Sequence, residues 1–209
     1  MIRFFNWFTK ITAWPLQFLC FRTKVLYEDR NVQGISIKGP AIIISNHTSV
    51  FDYAVYLFVF FFRTIRCQMA EVLFNKQPLG TLLKMLGGIR VNRDSHDFSF
   101  LTKSENILKE GGVVLIFPES RIPLKDEKTP LEFKPSAAYL AINSGVDIIP
   151  VYTNGSYFKF KRARVIIGKP MKANEYYDSS MGDRENIALL NTKMREKIIE
   201  LKEEMNEKG

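Results

Sequence analysis

Ala41-Ile-Ile-Ile-Ser-Asn-His-Thr-Ser-Val-Phe-Asp52 decides how this chain is read. Its first five residues form a short run, apolar and rich in isoleucine up to a closing serine, the pattern of a strand covered on both faces. The polar residues Asn46 to Ser49 follow, and an apolar block from about Val50 has the composition of a helix. A buried strand that leads through a polar exit into a helix is the repeating unit of a parallel α/β sheet.

Working outward, the same grammar returns. Gly87-Gly88 precedes a strand-compatible run, Ile89 to Asn92. Phe98, Leu101, Ile107 and Leu108 have helical spacing and are followed by Gly111-Gly112 and the apolar run Val113 to Phe117. Ala137 to Asn143 reads as a helix stopped by Gly145, and Ile148 to Tyr152 as a strand, with Arg164 to Ile167 as one more. Ile35 to Lys38 has the residue types of a further short strand before the Gly39-Pro40 turn. From Asp183, apolar residues at three- or four-residue steps (Ile187, Leu190, Met194, Ile198, Leu201, Met205) predict a closing amphipathic helix. The expected fold is a single α/β domain over residues 31–209, with a mainly parallel central sheet covered by helices.

The composition narrows the partners. At 209 residues, 46% of them hydrophobic, the chain can bury a core without disulfides or metal. Its 17 phenylalanines ask for more apolar partner surface than such a core needs, which a lipid surface would supply. The formal charge of +8 favours anionic partners but does not choose among them. Cys20 and Cys67 are the two cysteines, consistent with a reducing compartment. Residues 1–30 are expected to form a membrane-associating helical segment. Phe4 to Phe21 is rich in aromatics, but Asn6, Lys10, Pro15 and Gln17 interrupt it too often for a spanning helix. Trp7 and Trp14 fit a helix lying among lipid headgroups and bent at Pro15, with core packing as the alternative. The nucleic-acid motifs are missing and the basic residues form no single stripe, so nucleic acid is not an expected partner.

Three polar clusters follow strand ends, where parallel sheets place their sites. In the first, His47 and Asp52 are five residues apart, a spacing that points two residues of one unbroken helix in different directions. His47 must therefore precede the helix, where Asp52 can accept its Nδ1 proton and leave Nε2 as a free base. A helix-capping role for Asp52 explains the same spacing. The second cluster, Gly88 to Arg93, carries Arg90 and Arg93, which an anion or plain solvent could accommodate. The third, Phe117-Pro118-Glu119-Ser120-Arg121, follows the Val113 to Phe117 run, and a local Glu119–Arg121 ion pair would account for it equally well.

Taken in order, these clusters resemble the glycerolipid acyltransferase family that includes the lysophosphatidic acid acyltransferases, over roughly residues 35 to 170. That family's His-four residues-Asp motif, usually preceded by Asn, stands here as Asn46-His47 through Asp52. Its second motif matches Gly88 through Arg93, its third stands as Phe117-Pro118-Glu119-Ser120-Arg121 with Ser120 in place of the usual glycine, and its fourth corresponds to Ile148 through Val151. The resemblance implies transfer of a fatty acyl group to a lysophospholipid hydroxyl, 1-acyl-glycerol-3-phosphate giving phosphatidic acid. Another acceptor, or a non-catalytic lipid-binding protein on a membrane surface, is the alternative. It implies His47 as base and Asp52 as its orienting group. Arg93 and Arg121 would hold the acceptor phosphate, with Asn46, Gly88, Glu119 and Ser120 completing the substrate site. Glu119 is expected to position Arg121 or bind the acceptor. Backbone N–H groups near Thr48 and Ser49 are the natural oxyanion donors. Acyl-CoA or acyl carrier protein serves as co-substrate, with no metal or cofactor, and the protein is placed on the cytoplasmic face of a membrane.

Overall fold

In the computed structural model, residues 1–92, 97–158 and 162–208 are described. The helices α1 (Ile2–Thr12) and α2 (Trp14–Cys20) come first, then the strands β1 (Lys24–Tyr27) and β2 (Ala41–Ser45). Next come α3 (Asp52–Val59), β3 (Ile65–Ala70), α4 (Glu71–Phe74), α5 (Leu79–Leu86) and β4 (Ile89–Val91). The chain continues through α6 (Ser99–Lys109), β5 (Val113–Ile116), α7 (Ser136–Ser144), β6 (Ile148–Thr153), β7 (Arg164–Ile167) and α8 (Asp183–Glu207).

Among the described residues, seven strands make one sheet in the order β1-β7-β6-β2-β5-β3-β4. Five of them, β6 to β4, are mutually parallel, while β7 pairs antiparallel with β6 and carries β1 alongside. The single α/β domain with a mostly parallel sheet is thus as the sequence predicts. Alternation along β2 divides the core in two. Ile42 and Ile44 face Leu140, Leu190, Met194 and Ile198, from α7 and α8. Ala41 and Ile43 face Tyr53, Val55 and Tyr56 of α3. Each such aliphatic side chain contributes about 1.5–3 kcal/mol by leaving water, which is why so apolar a strand takes the centre.

Several expectations change. Ile35 to Lys38 forms no strand: the chain bends at Ile35 and again at Gly39-Pro40, which leaves the segment between them without a strand partner. The strand β3 was not anticipated, because Arg66 and Gln68 break its apolar run; Cys67 faces the core while the Arg66 guanidinium bonds the Gly87 carbonyl. The N-terminal helices end at Cys20, short of residue 30, because Val25, Leu26 and Tyr27 join the sheet edge beside β7.

The first helix packs in an inverted sense. Its buried residues are the polar Asn6 and Lys10, one turn apart. Asn6 donates to the Leu86 carbonyl at 3.0 Å, at the end of α5. Lys10 Nζ reaches the carbonyls of Phe61 at 2.8 Å and Arg63 at 2.7 Å, just past the end of α3. The last carbonyl of α5 and the carbonyls of the turn that follows α3 thereby gain donors. Burial pulls the Lys10 ammonium down to about 8. Phe4, Trp7, Phe8, Ile11, Leu16 and Phe18 are left exposed. Among the described residues, no helix is long and apolar enough to cross a membrane.

Candidate active site

The carboxyl ends of β2, β5 and β6 lie side by side, and the polar clusters leave from them. The strand β2 ends in Ser45, whose Oγ shares a 2.5 Å hydrogen bond with the Tyr56 hydroxyl. Asn46 is next and fully buried: its Nδ2 donates to the Thr153 carbonyl at 2.9 Å, and its Oδ1 accepts the Thr153 N–H at 2.9 Å. This reciprocal pair locks the exit of β2 to the end of β6. Asn46 is thus placed behind the site as a clamp, with both ends of its amide engaged, and not where a substrate would meet it.

The chain then turns out of the sheet and presents His47 before α3 begins, as its spacing from Asp52 requires. Its Nδ1 lies 2.8 Å from Asp52 Oδ2. Asp52 is completely buried, and four further donors converge on it. Oδ2 accepts the Thr48 and Ser49 N–H groups at 2.7 and 3.0 Å, and Oδ1 accepts the hydroxyls of Thr48 at 2.8 Å and Tyr157 at 2.7 Å. Such saturation is what a buried carboxylate needs. Asp52 therefore gathers the loop before the helix rather than capping the helix itself. It also means that the Thr48 and Ser49 N–H groups, expected as oxyanion donors, are already occupied.

Glu119 is buried at the exit of β5. Its Oε1 accepts the His47 N–H at 2.9 Å and its Oε2 the Leu131 N–H at 2.7 Å. It neither pairs with Arg121 nor presents a free oxygen to a ligand; it fixes the backbone of His47. Burial raises its carboxyl above the usual range, against the pull of the two N–H donors. The His47 ring stacks on Phe117 with centroids 4.3 Å apart. With Nδ1 on Asp52 and one face on Phe117, the imidazole keeps Nε2 without a partner among the described residues. The ring opens on a cavity of about 310 Å³ whose other walls include Val50, Tyr53, Met69, Leu83, Ser120 and Arg121.

Arg121 is thus brought to the cavity, but it is held from behind. Glu127 takes its two terminal nitrogens at 2.6 and 2.5 Å, an exposed bidentate pair that keeps the Glu127 carboxyl down at about 2. Ser120 has φ of 63°, in the left-handed region where glycine is at ease, so the serine is held there at some strain. Gly88 is half-buried and closely packed: a Cβ there would stand 3.0 Å from Phe74 and 3.2 Å from the Leu83 carbonyl. It fits β4 close to α5 and does not line the His47 cavity. Arg90 is a surface residue paired with Glu71 at 3.1 Å, and Arg93 lies outside the described residues.

Residues 24–154, more than half of the chain, match the Acyltransferase family. The chain belongs to that family. Human 1-acyl-sn-glycerol-3-phosphate acyltransferase beta is 28% identical over 152 residues, 71% of this chain and 54% of the relative, so this acyltransferase-family chain spans about half that protein's length. The 1-acyl-sn-glycerol-3-phosphate acyltransferase of Bacillus subtilis (strain 168) is 25% identical over 140 residues, covering 65% of this chain and 67% of that one. The solved 1-acyl-sn-glycerophosphate (LPA) acyltransferase PlsC from Thermotoga maritima superposes with a TM-score of 0.70 over 98% of this chain and 79% of its own, at 19% identity. The fold is shared.

Sequence reasoning missed Tyr157, which donates to Asp52 from 105 residues away. The one local trace is Gly155, at φ 64°, where a Cβ would stand 2.6 Å from Thr48 Oγ1. That close approach brings the Tyr157 loop against the His47 loop.

Proposed function

We propose that this protein transfers a fatty acyl group from an acyl thioester to the hydroxyl of a lysophospholipid, with 1-acyl-glycerol-3-phosphate giving phosphatidic acid as the leading case. The observation that carries the reading is the His47–Asp52 pair, locked in one tautomer beside a mostly apolar cavity. His47 Nε2 takes the acceptor's hydroxyl proton as the oxygen attacks the thioester carbonyl. The new C–O bond forms, the tetrahedral adduct expels the thiolate as the C–S bond breaks, and the imidazolium returns its proton to that sulfur. Asp52, 2.8 Å from Nδ1, stabilises the imidazolium while it exists. The names of the human and Bacillus subtilis relatives, both 1-acyl-sn-glycerol-3-phosphate acyltransferases, and the Arg121 guanidinium at the cavity support a phosphate-bearing acceptor.

The exposed aromatic face of α1 and α2 supports attachment to a membrane surface, with the helices lying in the headgroup region. The test of activity is incubation of purified protein with labelled acyl-CoA and lysophosphatidic acid, read as labelled phosphatidic acid. His47→Ala should abolish the product while leaving the circular dichroism spectrum unchanged. Full activity of that variant would sink the mechanism.

A further inference from the structure

Attack of a hydroxyl on a thioester needs both substrates on the protein together, and the cavity at His47 encloses only about 310 Å³. That is room for part of one lipid. A second, larger cleft of about 1050 Å³ adjoins it, with Gln68, Met69, Ala70, Phe117 and Ser120 lining both. His47 lines the smaller cavity alone. A base must touch the hydroxyl it activates, whereas the thioester has only to reach that hydroxyl. The smaller cavity therefore suits the acceptor's hydroxyl end and the larger cleft suits the donor.

Three features of the larger cleft describe its occupant. Arg184, Ile187, Ala188 and Asn191 line it from one face of α8. Asn191 Nδ2 donates to the Phe133 carbonyl at 2.8 Å, but its Oδ1 is buried and has no partner among the described residues. A buried acceptor left unpaired is costly, and a small turn of the half-buried Asn191 side chain toward the cleft would let a ligand N–H or O–H satisfy it. Secondly, Lys134 and Arg184 line the cleft with no ion pair to any described residue. Thirdly, α7 begins at Ser136 in the cleft wall with no acidic residue in its first turn and no side-chain cap, so its positive end is uncompensated.

We propose that this cleft binds the phosphopantetheine arm of the acyl donor, with Asn191 Oδ1 accepting an amide N–H and Lys134 and Arg184 meeting the phosphate. Coenzyme A and acyl carrier protein share that arm. Lysophosphatidate has no N–H, and its glycerol hydroxyl belongs at His47 in the smaller cavity, which makes it the poorer match for Asn191. Arg184 and Asn191 are seven residues apart, about 10 Å along the helix axis, which sets the spacing between phosphate and amide contacts. The assignment rests on the proposed acyl transfer for its donor class.

The decisive material is the double variant Lys134→Gln/Arg184→Gln, both positions being exposed. A thioether analogue of acyl-CoA, which cannot react, is titrated calorimetrically; its Kd should rise at least tenfold. In turnover, the donor KM should rise similarly with acyl-CoA and with acyl-phosphopantetheine, while the acceptor KM stays within twofold. S-acyl-N-acetylcysteamine, which carries an amide but no phosphate, should be indifferent to the double variant and several-fold weaker with Asn191→Leu. An unchanged Kd for the thioether overturns the proposal, as does a rise confined to the acceptor KM. A loss seen with acyl-CoA but not with acyl-phosphopantetheine moves the cations to the nucleotide and overturns the arm assignment. Absence of turnover in the wild-type protein would count against acyl transfer itself, whereas the thioether titration judges the cleft independently.

Discussion

Replacing Asp52 by Asn separates charge from scaffolding, because the five groups around Asp52 divide unequally. Oδ2 receives His47 Nδ1 and the backbone N–H groups of Thr48 and Ser49, and the two backbone groups can only donate, which fixes an acceptor at that position. Oδ1 receives two hydroxyls, from Thr48 and Tyr157, which can rotate to accept instead. An asparagine therefore fits with its oxygen in the Oδ2 position and its amide nitrogen facing the hydroxyls, and His47 keeps its tautomer. What disappears is the negative charge 2.8 Å from an imidazolium. With an effective dielectric of about 20 that attraction is about 6 kcal/mol, and solvent on the open side of His47 reduces it to about 4. The expected loss in kcat is about 10³- to 10⁴-fold, with little change in either KM. Folding should lose only about 1–3 kcal/mol, since neutral hydrogen bonds replace charge-assisted ones. Asp52→Ala, which strands all five donors, should lose about 3–5 kcal/mol. Steady-state kinetics and urea denaturation of both variants make the comparison. A kcat within tenfold of wild type in a folded Asp52→Asn protein would refute the electrostatic role. Equal destabilisation by Asn and Ala would refute the assignment of oxygens.

Further outcomes follow from neighbouring contacts. Glu127→Gln frees Arg121 from its bidentate partner, and the acceptor KM should fall by about twofold to fivefold with the donor KM unchanged; a higher acceptor KM would mean that the ion pair holds Arg121 in its working position. Ser120→Gly removes a side chain from a left-handed backbone and should raise stability by about 0.5–1 kcal/mol, read as a higher Tm. Glu119→Gln can satisfy only one of the His47 and Leu131 N–H groups and should cost about 1–3 kcal/mol in urea denaturation. The native Glu119 carboxyl titrates above its unfolded value of 4.5, so the native state holds its proton longer and stability falls as pH rises through that interval. A pH titration of Tm should show this component in the wild type and lose it in Glu119→Gln.

What could be read in advance depended on how local each feature is. The β2 strand announces itself because a covered strand has nowhere to put a polar residue, and His47 could be placed before α3 from helical periodicity alone. Strand β3 escaped because Arg66 and Gln68 disguise it, yet Arg66 finds the Gly87 carbonyl at the end of α5 and Gln68 finds Ser104 at 3.0 Å. The backbone contacts of Asn46 and Glu119 lay outside what the sequence could tell, for a common reason. Motif membership says that a residue matters near the site, but not whether its polar atoms face the substrate or the backbone. Only the register of β2 against β6, and the turn back to Leu131, reveals that both face the backbone. Tyr157, Lys134, Arg184 and Asn191 meet their neighbours through long-range packing, which leaves no periodic trace in a single sequence.

The inverted packing of α1 bears on how this protein can be handled in solution. An attempt to improve solubility by removing the aromatic N-terminal helix would also remove Asn6 and Lys10, and with them the donors at the ends of α5 and α3. The trimmed protein would shed greasy surface and lose the pegs that hold two helices of its own core. Exchanging Phe4, Phe8 and Ile11 for polar residues while keeping Asn6 and Lys10 is the sounder route to a detergent-free form.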